Sequence, residues 1–129
     1  MDLSDIINDA QGQDTGRDFG LVDPVDGKPI GITLRLAGPD SATQARARLQ
    51  LMDDLAEMAD ETGRVTAAQR EKARINSLAR CVLGWNVQED GEAVPFTHAS
   101  VVRFLRAATW VQAQVDAFAS DRAAFRGQS

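Results

Sequence analysis

His98 and Cys81 are the only histidine and the only cysteine in this 129-residue chain, and tyrosine is absent. A histidine acid–base pair, a two-histidine metal site, an intrachain disulfide and a cysteine-based zinc site are therefore excluded within one chain. His98 falls in the first turn of an expected helix with no partner nearby in sequence, and reads as a surface residue. Cys81 lies beside the apolar stripe of Ile75, Leu78 and Val82. A thiol so placed reads as a small buried hydrophobe rather than a nucleophile, and a lone cysteine fits a reducing compartment.

Carboxylates offer the next chemistry. Asp53, Glu57 and Glu61 recur at four-residue steps beside Asp54 and Asp60, so one helix face would carry three acids. A hard cation needs several converging oxygens, which one helix seldom provides, and a solvated face is the stronger reading. Asn86 to Gly91 resembles the first half of a calcium loop but has Asn and Gln at the first and third positions and Thr97 where a bidentate Glu is required. Gly12, Gly16 and Gly20 lack the spacing and strand-to-helix context of a phosphate-binding loop and read as a linker. No metal, no cofactor and no catalytic group is expected, and the chain reads as a non-enzyme.

Charge narrows the partners. Fourteen Lys and Arg against nineteen Asp and Glu give a formal net charge of −5. Arg70, Lys72, Arg74 and Arg80 scatter around a helix axis with no aromatic ladder between them, so no nucleic-acid surface is expected. The excess charge is local. Residues 1–40 hold eight acids and three bases, and residues 41–129 hold eleven of each. The acidic N-terminus does not read as a signal peptide, and no apolar run approaches the roughly 20 residues of a membrane helix. A soluble, cytoplasmic protein with no membrane partner is the expectation.

The elements that must position these residues follow from periodicity. Residues 1–17 read as a flexible acidic leader, in which Leu3, Ile6 and Ile7 make one loosely docked or partner-dependent turn. In residues 18–37, Phe19 and Leu21 precede the turn residues Asp23-Pro24-Val25-Asp26-Gly27. Ile30, Ile32, Leu34 and Leu36 then alternate with Gly31, Thr33 and Arg35, which predicts a β-hairpin with one apolar face. From residue 40 the pattern is helical. Ser41–Gln44, Thr66–Gln69 and Thr109–Gln112 match the S/T-x-x-E/Q capping box, and Thr97 is a fourth N-cap. The stripes are Leu51, Leu55 and Met58; Ile75 to Leu83; Val101 to Ala108; and Val111 to Phe125. The expected fold is mainly α, a small bundle of about four helices spanning 40–126 with an N-terminal β-hairpin, and 18–129 form a single domain.

The segment 84–98 is left as a long helix-to-helix loop, with Trp85 at its start and Pro95-Phe96 at its end. These aromatics either staple the loop to the helices or anchor a partner.

Trp85, then Asp90-Gly91-Glu92-x-Val94-Pro95-Phe96-Thr97, Trp110-Val111, Gln114-Val115 and Asp121-Arg122-x-x-Phe125 together resemble the C-terminal half of tail assembly chaperones of long, non-contractile-tailed bacteriophages and prophages. Asp23 to Gly31, Ile32 to Leu36 and Asp40-Ser41 are similar to the hairpin and helix start of such small tail proteins. The matching patches cover about half the chain. The resemblance implies a non-enzymatic protein of the bacterial host cytoplasm that holds the aggregation-prone tape-measure protein while the tail tube polymerises. It also implies a gene between those of the major tail-tube and tape-measure proteins, and in many cases a second, frameshifted product. The major tail-tube protein is a second candidate partner and a homo-oligomer a candidate assembly. Trp85, Phe96, Trp110, Met52 and Met58 are the candidate partner-binding residues. A structural minor tail or head–tail joining protein of the virion is the alternative.

Overall fold

The computed structural model describes residues 1–126; the last three residues of the domain expected over 18–129 lie outside the described residues. In chain order the elements are α1 (Leu3–Thr15), β1 (Arg17–Val22), β2 (Pro29–Leu36), α2 (Ala42–Met58), α3 (Ala67–Arg80), β3 (Val82–Trp85), β4 (Gln88–Glu89), β5 (Glu92–Ala93), α4 (His98–Arg106), α5 (Thr109–Ala119) and α6 (Arg122–Phe125). The fold is mixed α/β, 54% helical and 17% strand, which corrects the expected mainly-α bundle of about four helices. A three-stranded antiparallel sheet ordered β1-β2-β3 and a two-stranded sheet β4-β5 stand beside the helices.

The correction has a physical source. A two-stranded hairpin leaves β2 with an unpaired edge, and such a hairpin is marginal on its own. The chain fills that edge with Val82-Leu83-Gly84-Trp85, pairing Leu36 with Val82 and Leu34 with Trp85. Asn86 prolongs the ladder, its side-chain carbonyl accepting from Thr33 N–H (2.7 Å) and its amide donating to Gly31 O (3.1 Å). Val82 and Leu83 continue the three-and-four spacing of α3, so periodicity alone runs the helix past its true end. It stops at Arg80, with the Cys81 N–H bonded back to Leu78 O. Further along, Asp90 (φ 53°) and Gly91 (φ 82°) make a two-residue turn with both central residues left-handed. That is the hairpin geometry Asp-Gly favours, and it joins β4 to β5.

The alternation of β2 places its apolar face as expected, but burial is graded. Leu36 and Leu34 are sealed and Ile32 is half-buried, while Ile30 near the hairpin tip is exposed. The sealed end meets Ile75, Leu78, Val101, Leu105, Val115 and Phe125, so sheet and helices share one core. Phe19 stacks on Phe118 (ring centroids 4.7 Å, 20°), which meets Phe125 at a tilt (5.2 Å, 54°). On the outer edge of β1, the Gln114 side chain donates to Val22 O (2.9 Å) and accepts from Val22 N–H (3.0 Å). A side-chain amide thus pairs with both backbone groups of Val22 on that edge.

Residues 1–17, read as a flexible leader, carry α1. Asp2 and Asp5 form a reciprocal capping box at its start, a cap that the acidic composition conceals. Gly16 (φ 83°) ends the helix where the chain passes close to β2 and β3, so that an added Cβ would lie 2.7 Å from Leu83 Cδ1 and 2.9 Å from Leu36 O. The other helix starts differ among themselves. Thr66–Gln69 forms the full box and Thr97 caps α4. Ser41 caps α2, but Gln44 turns inward to donate to Ala37 O and Ala119 O, both at 2.8 Å. At α5 the N-cap is Ala108 without a side-chain bond, Thr109 is already helical, and Gln112 donates to Leu105 O (2.8 Å).

Candidate functional site

The five sequence candidates fall in separate places, and only Trp85 and Phe96 come together. Trp85 on β3 meets Phe96 (5.6 Å, 80°) and Phe104 of α4 (5.5 Å, 72°) edge-on, a favourable geometry for aromatic pairs. Its indole N–H donates to Val94 O (3.0 Å), which fastens the β4-β5 hairpin to the sheet. A cavity of about 180 Å³ opens beside it, lined by Ile32, Trp85, Val87, Val94 and Phe104. Arg103 closes its rim on both Glu89 oxygens (2.9 and 3.0 Å), and that bond holds the Glu89 carboxyl below its usual range. Trp85 is half-buried, and Phe96 keeps 44% of its surface in solvent.

Trp110 is half-buried against the core from α5, away from that cluster. Met52 and Met58 lie on different sides of α2. Met58 is half-buried and its carbonyl accepts from Gln69, while Met52 is 65% exposed.

The largest run of uncovered apolar helix surface in the N-terminal region belongs to α1. Leu3, Ile6 and Ile7 share a face, are 69%, 56% and 45% exposed, and are flanked by Asp2, Asp5 and Asp9. The far end of the same helix is fixed. Gln13 is buried, accepts from Asp40 N–H (2.7 Å) through its side chain, and accepts from Gly38 N–H (3.0 Å) through its carbonyl. Asp14 accepts from Ala42 N–H (3.0 Å), Thr43 N–H (2.9 Å) and the Thr43 hydroxyl (2.9 Å), and so caps α2 from outside it. Burial works to raise the Asp14 carboxyl, but the Thr43 and Ala42 bonds and the Arg46 charge outweigh it and hold it below 3.8. Asp40 is held down chiefly by its bond from Arg122, against burial and with help from Gln13. The result is a helix anchored at its C-terminal turn that presents an apolar, acid-rimmed face over its first two turns. Sequence reasoning left this segment without fixed structure; its i, i+3, i+4 spacing and the Asp2/Asp5 box were the signals that could have found it.

The titratable groups do other work. Cys81 is buried, its thiol 3.5 Å from Ser77 O, and burial pushes its pKa up to about 11. His98 Nε2 bonds to Asn76 Oδ1 (2.8 Å); burial and the Arg80 charge lower its pKa against the pull of Asp54. The acidic helix face does not converge. Asp54 bonds to Gln50 (2.9 Å) and pairs with Arg80 (3.1 Å), and Asp60 organises its own turn through Thr62 and Arg64, while Glu61 lies past the end of α2. Among the described residues, no three His, Cys, Asp or Glu side chains are grouped to hold a metal ion, and no helix is long and apolar enough to cross a membrane.

No family model, curated protein or solved structure matches the chain.

Proposed function

We propose that this chain is a non-enzymatic tail assembly chaperone of a long-tailed phage or prophage, which binds the tape-measure protein and keeps it soluble while the tail tube polymerises. The observation that carries the reading is α1, which is anchored at its C-terminal turn and whose apolar face the described residues leave largely in solvent. An apolar stripe at helical spacing is complementary to the stripe of an amphipathic partner helix. The rim of Asp2, Asp5 and Asp9 selects partners whose stripe is bordered by lysine or arginine. The exposed edge of Phe96 offers a second apolar contact on another part of the surface. The resemblance of the Trp85–Phe125 patches to tail assembly chaperones supports the choice of client.

Co-expression tests the proposal. The chain is expected to co-purify with the tape-measure protein of its own phage and to keep it in the soluble fraction. A folded chain that does neither refutes the reading. Its presence in purified virions at a fixed copy number would instead make it a structural component.

A further inference from the structure

We propose that the outer face of α2 is a self-association seam that pairs antiparallel with the same helix of a second copy. The inner face of α2 carries Ala47, Leu51, Leu55 and Met58 and packs against α3. On its opposite side Ala42, Ala45, Leu49, Met52 and Ala56 recur at alternating steps of three and four, the spacing of a coiled-coil seam. Leu49 and Met52, at the centre of that seam, are 63% and 65% exposed. A helix apolar on two opposite sides is built to be covered on both.

Charge identifies the occupant. Arg46 and Asp53 lie on one flank of the seam, both are exposed, and among the described residues neither makes an ion pair. Two copies laid antiparallel, with Leu49 opposite Met52 of the second copy, put Ala45 opposite Ala56 of that copy. The same register sets Arg46 beside Asp53 of the second copy, and the symmetry repeats that pair. The face is thus self-complementary in shape and in charge, as a two-fold interface requires. Small residues on either side of the central Leu–Met layers let the two backbones approach. One helix pair buries less than the roughly 800 Å² per partner of a standard interface, so the dimer is weak and concentration-dependent. The central Leu49 and Met52 layers of the seam lie on α2, and the client face of α1, Leu3, Ile6 and Ile7, takes no part in it, so the seam stands or falls independently of the client.

Sedimentation velocity on the full chain, from about 5 to 500 µM, reads the association directly. The wild type is expected to pass from monomer to dimer across that range. Leu49→Asp holds it monomeric, and Arg46→Asp or Asp53→Arg weakens the dimer by about tenfold. The double exchange Arg46→Asp/Asp53→Arg restores it, because the charges then meet in reverse. Leu49 and Asp53 are exposed, so melting curves of Leu49→Asp and Asp53→Arg should overlay the wild type, whereas Arg46→Asp, which places an acid beside Asp14, should melt slightly lower. A chain that stays monomeric throughout, or a self-association that the single changes leave intact or the double exchange does not restore, overturns the proposal. In a parallel pairing Asp53 would meet Arg48, and insensitivity to Arg46→Asp would report that failure.

Discussion

Burial sets the behaviour of Cys81. With its pKa pushed up to about 11, the Cys81 thiol is ionised in about one molecule in ten thousand at pH 7. Native protein should therefore resist a thiol reagent that labels the urea-unfolded chain within minutes, and equal rates in the two states would contradict the packing of Cys81. Trp85 acts through contacts rather than reactivity. Trp85→Ala removes two edge-on ring contacts and the bond to Val94 O, and is expected to cost about 3 kcal/mol in urea unfolding. Trp85→Phe, which keeps a ring and loses the bond, should cost about 1 kcal/mol. If instead Trp85→Ala leaves stability unchanged and abolishes partner binding, the ring is an interface anchor. That Trp85 and Phe96 belong together was legible from the two ends of one loop. That Trp85 lies in a strand was not, because Val82 and Leu83 fit a helical stripe as well as a pleated one.

The N-terminal helix is where composition misleads most. Asp2, Asp5, Asp9 and Asp14 look like solvating charge, yet Asp2 and Asp5 cap α1 and Asp14 caps α2. Capping depends on the geometry of an orphan N–H, and in the case of Asp14 that N–H lies 28 residues further along the chain, beyond the reach of any local rule. Asp14→Ala should cost about 1 kcal/mol and loosen α1 without disturbing the sheet, as seen by amide exchange over residues 3–15. The pH dependence has a definite sign. Asp14 and Asp40 both have folded pKa values below the ordinary 3.8, so the stability they add is complete above that value and is lost as pH falls through the folded values. Backbone NMR signals of α1 should stay fixed from pH 7 to pH 5. Below about pH 4 they should shift before those of Leu34, Leu36 and Val115, and simultaneous loss would show that α1 is no separate unit. The β4-β5 hairpin, by contrast, was within reach of sequence, since Asp90-Gly91 is a strong turn signal once the segment is not assumed to be loop.

At the scale of the whole molecule, the charge asymmetry acquires a place. Of the eight acids in residues 1–40, Asp2, Asp5 and Asp9 flank the uncovered stripe of α1, Asp14 caps α2 and Asp40 pairs with Arg122. The eleven acids and eleven bases after residue 40 balance, a few of them in ion pairs such as Arg74–Glu71, Arg80–Asp54 and Arg103–Glu89. The three acids beside the α1 stripe suit the proposed client, an apolar helix with basic borders. Under the two proposals the uncovered faces divide the work, α1 for the client and the outer side of α2 for a second copy. The most direct test of the client face compares the wild type with Leu3→Asp/Ile7→Asp when each is co-expressed with the tape-measure protein. Both positions are exposed, so the variant should fold and melt like the wild type. The tape measure should remain soluble with the wild type and precipitate with the variant. Equal solubility of the tape measure with both proteins would contradict α1 as the binding face.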